Sequence, residues 1–181
     1  MIKRYVEKIE SDFDGTIIDL ETIGKFCNNY RDSRRYKDII PVICGYIDRG
    51  GIRIVYAENR GDIQDLKKEM TQLLSSLVKP FCAFNCNFEQ GAIFHFLNSE
   101  ITFEREISTR KYEKKEDVVN SLGIPSYDDP FHGSGFECSE AWKRGDVDKA
   151  IAHNRSCLLK ERDILLKRGH RTPATLRFVG D

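Results

Sequence analysis

No stretch of this 181-residue chain approaches the roughly 18 consecutive apolar residues that a membrane-crossing helix requires. The opening residues, Met1-Ile2-Lys3-Arg4, lead into charged sequence and not into the apolar segment of a secretory signal. Net charge is lacking as well. The 29 Lys and Arg balance the 29 Asp and Glu, so no global field draws in nucleic acid, and a polyanion would need a local patch. Internal repeats, low-complexity tracts and obvious linkers are missing too, which leaves residues 1–181 as a single domain. These absences describe a cytoplasmic protein with no membrane partner.

What is present is an ordinary globular balance of 40% apolar and 32% charged residues. A chain of this length buries roughly two-thirds of the surface exposed on unfolding, enough for one core. The six cysteines lie mostly in apolar segments, which favours reduced thiols over disulfides. Cys82 and Cys86 are half of a zinc site only if a pair such as His95 and His132 comes close, and ordinary buried cysteines show the same spacing. Basic residues gather in three places: Arg31, Arg34, Arg35 and Lys37, then Arg110, Lys111, Lys114 and Lys115, then Lys167, Arg168 and Arg171. Each reads first as a solvated face and second as a local patch for a polyanion.

Hydrophobic periodicity predicts an α/β domain. Thr16–Thr22 reads as a buried strand, Ile39–Ile47 as a second, Asp48–Gly51 as a hairpin turn and Ile52–Ala57 as a third strand. The helical spacing of Leu66, Met70, Leu73, Leu74 and Leu77 predicts a helix over 62–78, ending before Pro80. A short strand over Phe81–Phe84 follows, then a helix capped by Asn87, with Glu89 in its first turn. Phe103–Thr109 reads as another strand, 114–122 as a short helix, Tyr127–Gly135 as a loop, and a final long helix runs from near Asp146 to just before Gly169.

On the first of these strands, side-chain alternation sends Asp19 and Glu21 to one side and Leu20 to the other, with the two acids about 7 Å apart at Cα. Paired carboxylates at that spacing suit a hard divalent cation such as Mg2+ or Mn2+. Asp12-Phe13-Asp14-Gly15-Thr16 overlaps this segment and matches the DxDGT start of haloacid-dehalogenase-type phosphatases, in which the first Asp is the nucleophile. That motif follows a buried apolar strand. Here Glu7-Lys8-Ile9-Glu10-Ser11 precedes it and cannot form one, so Asp12–Gly15 reads as a turn into the strand.

Thr16-Ile17-Ile18-Asp19-Leu20-Glu21-Thr22-Ile23-Gly24 resembles the first motif, hhDhETxG, of the ribonuclease H-like DEDD 3'–5' exonuclease superfamily. Asn85-Cys86-Asn87-Phe88-Glu89 is similar to its second motif, Nxx[FY]D, with Glu for Asp. His153-Asn154-Arg155-Ser156-Cys157 is similar to its third, YNxxD, with Cys157 in the place of the metal-binding Asp. The resemblance implies a ribonuclease H-like fold with a central mixed sheet flanked by helices. It also implies a two-metal site of Mg2+ or Mn2+ that hydrolyses phosphodiesters at the end of single-stranded DNA or RNA. In that arrangement Asp19, Glu21 and Glu89 hold metal, His153 orients or deprotonates the attacking water together with Glu21, and Thr22, Asn85 and Phe88 meet the substrate. Cys157 is soft and mostly neutral near pH 7, a poor magnesium ligand. Glu161 shares its helix face one turn further on, about 5.4 Å along the axis. It either reaches back to complete the acid set or is a surface acid in the charged run 160–163. A catalytically degenerate member that keeps only a nucleic-acid or protein binding surface is the alternative, and the phosphatase using Asp12 and Asp14 is the distant one.

Overall fold

The computed structural model describes residues 2–180. A strand that is apolar on both faces belongs inside a sheet, because an edge position would leave part of that surface wet. Six strands form one mixed sheet: β1 (Lys3–Glu7), β2 (Thr16–Gly24), β3 (Ile39–Asp48), β4 (Gly51–Tyr56), β5 (Phe81–Ala83) and β6 (Arg105–Glu106), in the order β1-β4-β3-β2-β5-β6. β2 carries buried Ile17, Ile18 and Leu20 and lies inside, antiparallel to β3 and parallel to β5. β3 and β4 form the expected hairpin across Asp48–Gly51. The flanking helices are α1 (Ile63–Ser76), α2 (Cys86–Leu97), α3 (Lys115–Ser121), α4 (Gly135–Lys143) and α5 (Val147–Arg168). The chain is therefore an α/β protein with a mixed sheet flanked by helices. Among the described residues no helix is long and apolar enough to cross a membrane.

Four expectations need correction. β1 was not anticipated; it is a mostly exposed edge strand held to β4 by pairing, with no apolar face to advertise it. The strand expected over Phe103–Thr109 shrinks to two residues, because its partner β5 offers only Cys82 and Ala83 for pairing. α2 begins at Cys86, so Asn87 lies within its first turn and does not cap it. α4 begins where only a loop was read. Ser134-Gly135-Phe136-Glu137 carries the Ser-x-x-Glu signature of a helix start, and Ser134 Oγ accepts from the Glu137 N–H at 3.2 Å.

Two backbone features bring α5 onto β2. The pairing register shifts beside Glu21: Glu21 faces Ile43 but Thr22 faces Pro41, so Val42 is an extra residue, and the N–H that Pro41 lacks is tolerated at such a bulge. Directly opposite Asp19 stands Gly45. A Cβ there would lie 1.9 Å from Asn154 Oδ1 and 2.9 Å from Leu158 Cδ1 of α5. The missing side chain is what lets this helix reach the strand.

Gly45→Ala should therefore destabilise the fold by about 1–3 kcal/mol, the usual cost of overpacking a filled interior. Gly135→Ala, where an added Cβ meets nothing within 4 Å, should be nearly neutral. Urea unfolding of the two variants checks the contrast; equal midpoints would mean that α5 does not depend on Gly45.

Candidate metal centre

Acids buried on a central strand need partners, since an isolated ionised carboxylate in low dielectric is far costlier than a neutral one. Asp19 and Glu21 are both buried. The Asn154 amide nitrogen donates to the Asp19 carbonyl oxygen at 3.1 Å, to Asp19 Oδ2 at 2.8 Å and to Glu21 Oε1 at 3.3 Å. Lys115, the first residue of α3, brings its ammonium to 3.3 Å from Asp19 Oδ1 and 2.5 Å from Glu161 Oε1. One cation thus bridges a strand acid and an α5 acid. Glu89 joins from the first turn of α2, also buried. Four carboxylates from three elements converge, and Glu89 Oε2 and Glu161 Oε2 are buried with no hydrogen-bond donor.

His153 lies beside this cluster and is held from behind. Its Nδ1 is 2.7 Å from Asp129 Oδ1, and its Nε2 faces Cys157 Sγ at 3.7 Å and Glu21 Oε1 at 3.8 Å. Asp129 is fully enclosed and also accepts from Lys160 Nζ at 2.8 Å and from the backbone N–H groups of Phe131 at 3.0 Å and Gly133 at 2.8 Å. The loop that carries it is contorted: Tyr127, Asp128 and His132 adopt left-handed conformations, each costing of order 1 kcal/mol for a residue with a side chain. Lys160, inside the charged run, is buried as well and reaches Glu116 Oε1 at 2.8 Å in addition to Asp129.

The electrostatics follow from this crowding. Burial, with the Asp19 charge adding to it, pushes the Glu21 carboxyl up to about 7. Burial likewise raises Glu161 to about 8, against the opposing pull of Lys115. Glu89 rises through burial and then through Asp19 and Glu161. Burial works against a charged His153, yet the negative groups around it, Glu21 first, push its pKa up to about 11. Burial also opposes ionisation of Asp129, but the His153 and Lys160 hydrogen bonds outweigh it and hold the carboxyl well below the usual range. Burial raises the Cys157 thiol.

Of the residues singled out from sequence, Asp19, Glu21, Glu89, His153, Cys157 and Glu161 come together. The surface reading of Glu161 is overturned, because its side chain is 1% exposed and ion-paired. Asn85 is exposed at the mouth of α2, Phe88 is half-buried beside it, and Thr22 is half-buried farther along β2. Lys115, Asn154, Asp129 and Lys160 were not anticipated as site residues. Lys115 and Lys160 sat in charged runs that resemble solvated faces, and Asp129 sat among turn formers 24 residues before its histidine. Asn154 had one signal, its place beside His153 in the third motif. The Cys82/Cys86 zinc pairing is not formed: the Cys86 thiol faces the carbonyl oxygens of Ala83 and Arg105, His132 is exposed, and all six cysteines are free. Asp12 and Asp14 precede β2 and are exposed, and Asp14 pairs with Arg105 at 3.1 Å.

A cleft of about 810 Å³ runs past the N-terminus of α2. Phe26, Tyr30, Tyr36, Phe88 and Tyr112 give it aromatic walls, and Arg31, Arg35, Arg110, Lys111 and Arg171 bring positive charge from all three basic stretches, in excess of the lining acids Asp32, Glu106 and Glu113, of which Glu106 pairs with Arg171. Asn85 and Phe84 line it too, and the Lys115 ammonium lies 5.7 Å from the Phe84 ring, so the cleft adjoins the acid cluster. In comparisons with protein-family models, with curated proteins and with solved structures, nothing matches this chain.

Two outcomes are expected. Above the unfolded value near 4.5 the folded state retains a proton on Glu21 up to about 7 and on Glu161 up to about 8, with Glu89 shifted in the same direction, and above about 6.5 it also retains one on His153. Folded protein then binds more protons than unfolded, so stability falls as pH rises. Thermal melts in EDTA should show a lower Tm at pH 8 than at pH 5.5, and Mg2+ or Mn2+ should restore more of it at pH 8. Separately, Lys160→Met leaves the Asp129 charge short of a partner and should cost about 3–5 kcal/mol in urea unfolding; a loss under 1 kcal/mol would show that the His153–Asp129 pair needs no cation behind it.

Proposed function

We propose that the chain is a divalent-metal-dependent phosphodiesterase with a ribonuclease H-like fold, acting on the 3' end of single-stranded nucleic acid. The observation that carries this reading is the convergence of Asp19, Glu21, Glu89 and Glu161, two of them with undonated buried oxygens, at the side of an aromatic and basic cleft. The order of elements supports the fold: three successive strands, β2 to β4, then a helix, then Asn85–Glu89 at the start of α2, then His153 on a late helix. β1 is an addition to it.

The donor set suits a hard cation in kind, being all carboxylate oxygen, and the orphaned oxygens of Glu89 and Glu161 are where such an ion gains most; among the described residues no three of these carboxylates have oxygens within 4.8 Å of one another, so an ion would draw them together. Asp19, Glu21, Glu89 and Glu161 would hold it, with Glu161 supplying from one turn further along α5 the charge that Cys157 does not. Once bound, the ion activates water and stabilises the departing oxygen. The chain's own groups do the rest. Asp129 fixes the tautomer and direction of His153, whose Nε2 faces the cluster to orient the attacking water. Lys115, on the cleft side and 19% exposed, stands where an anionic phosphodiester approaches. Aromatic faces in the cleft suit unstacked bases, and arginines beside them suit the backbone.

One observation favours the degenerate reading: Lys115 already compensates Asp19 and Glu161 without any metal. End-labelled single-stranded DNA and RNA, incubated with Mg2+, Mn2+ or EDTA, separates the two. Metal-dependent shortening is expected, with a loss of at least about 100-fold in Asp19→Ala and Glu21→Ala, as when a group acting in the transition state is removed. Binding to the strands without turnover in either metal would leave the binding module standing.

A further inference from the structure

Cys157, set against His153, remains unexplained by a magnesium site, which has no use for sulfur. The two residues are one helical turn apart on α5, so they share a face. With Glu21 they bring an imidazole nitrogen, a thiol and a carboxylate oxygen within 4.8 Å of one another, all three residues buried. The separations are 3.7 Å from Nε2 to Sγ and 3.8 Å from Nε2 to the Glu21 oxygen. Zinc bonds of about 2.0–2.1 Å to nitrogen and about 2.3 Å to sulfur put tetrahedral nitrogen and sulfur ligands roughly 3.6 Å apart, so the two separations to Nε2 need to close by only a fraction of an ångström.

The nitrogen is also aimed. An Asp129 carboxylate that already accepts from an ammonium and two backbone N–H groups can only accept from His153, which keeps a proton on Nδ1 and leaves Nε2, facing Cys157 and Glu21, as the nitrogen that gives up its proton to a metal. A histidine backed by a carboxylate in this way is the usual second layer of a zinc site.

We infer that Glu21, His153 and Cys157 form a three-ligand site for zinc or a chemically similar transition-metal ion, with its fourth position open to water. Binding would release to solvent the thiol proton of Cys157, the Nε2 proton of His153 and any proton held on Glu21, and the thiolate and carboxylate together would neutralise the ion. This inference stands on the His153–Cys157 pair and holds whether or not the chain hydrolyses nucleic acid.

Cobalt(II) reports on it directly. Titrating metal-stripped protein with Co2+ should produce a near-ultraviolet thiolate-to-cobalt band and intense visible bands of a four-coordinate ion, saturating at one equivalent and erased by Zn2+. Cys157→Ser should lose the near-ultraviolet band while Cys82→Ser keeps it, and Asp129→Asn should weaken zinc binding roughly 10–100-fold by calorimetry. Should Cys157→Ser fail to fold, Cys157→Asp takes its place, with circular dichroism as the check. No cobalt binding, binding without the sulfur band, or a band that survives loss of Cys157 overturns the inference. A band without nuclease activity would overturn only the hydrolytic reading, and Mn2+-dependent nuclease activity without a band would overturn only the zinc site.

Discussion

Negative charge buried on the central strand is the constraint around which the rest of this molecule is arranged. Asp19 and Glu21 sit between apolar neighbours that hold β2 inside the sheet, so they cannot turn to water. α3 and α5 bring donors or cations to them: the Lys115 ammonium, the Asn154 amide and the His153 ring. Uncompensated, such groups oppose folding by several kcal/mol each. The compensation is incomplete, because α2 and α5 add two further acids whose outer oxygens receive no hydrogen bond. A core built only for stability would replace them with apolar side chains. A site built for a cation keeps them.

α5 is the element that makes this possible. One stripe of it carries His153, Asn154, Cys157, Lys160 and Glu161, all buried, among Ala150, Leu158 and Ile164. Polar and apolar groups therefore share the face that packs on the sheet, and Gly45 gives that face room to come close. Behind it, the contorted loop around Asp129 supplies a second charged layer, in which Lys160 and two backbone N–H groups hold the carboxylate that orients His153. The two layers differ in exposure to change. The Asp129 layer is closed and saturated, while the acid cluster keeps undonated oxygens and reaches, through Lys115, the Phe84 ring that lines the cleft.

Much of the sheet was legible in the sequence because burial on both faces concentrates apolar residues, continuously in β3 and β5 and around single polar residues in β2 and β4. β1 left no such mark, since an exposed edge strand is specified by its partner and not by its own pattern. Of the site, the acids on β2 were visible through their alternation, and Glu89, His153 and Cys157 only through the resemblance to exonuclease motifs. The three basic stretches were visible as well, but each reads as a solvated surface until the fold sets them around one cleft.

The amino-acid sequence by itself determined the alternation that puts Asp19 and Glu21 on one side of a strand, and the helical repeat that puts His153, Cys157 and Glu161 on one face. These are local periodicities, set by backbone geometry within a few residues. Only the tertiary structure decided that Lys115 and Lys160 turn inward, that Asp129 reaches a histidine 24 residues away, and that Glu161 is buried against the acids of β2. Those outcomes depend on which charges meet after the chain has closed on itself, and Coulomb attraction in a low-dielectric interior acts on distance in space and not along the sequence.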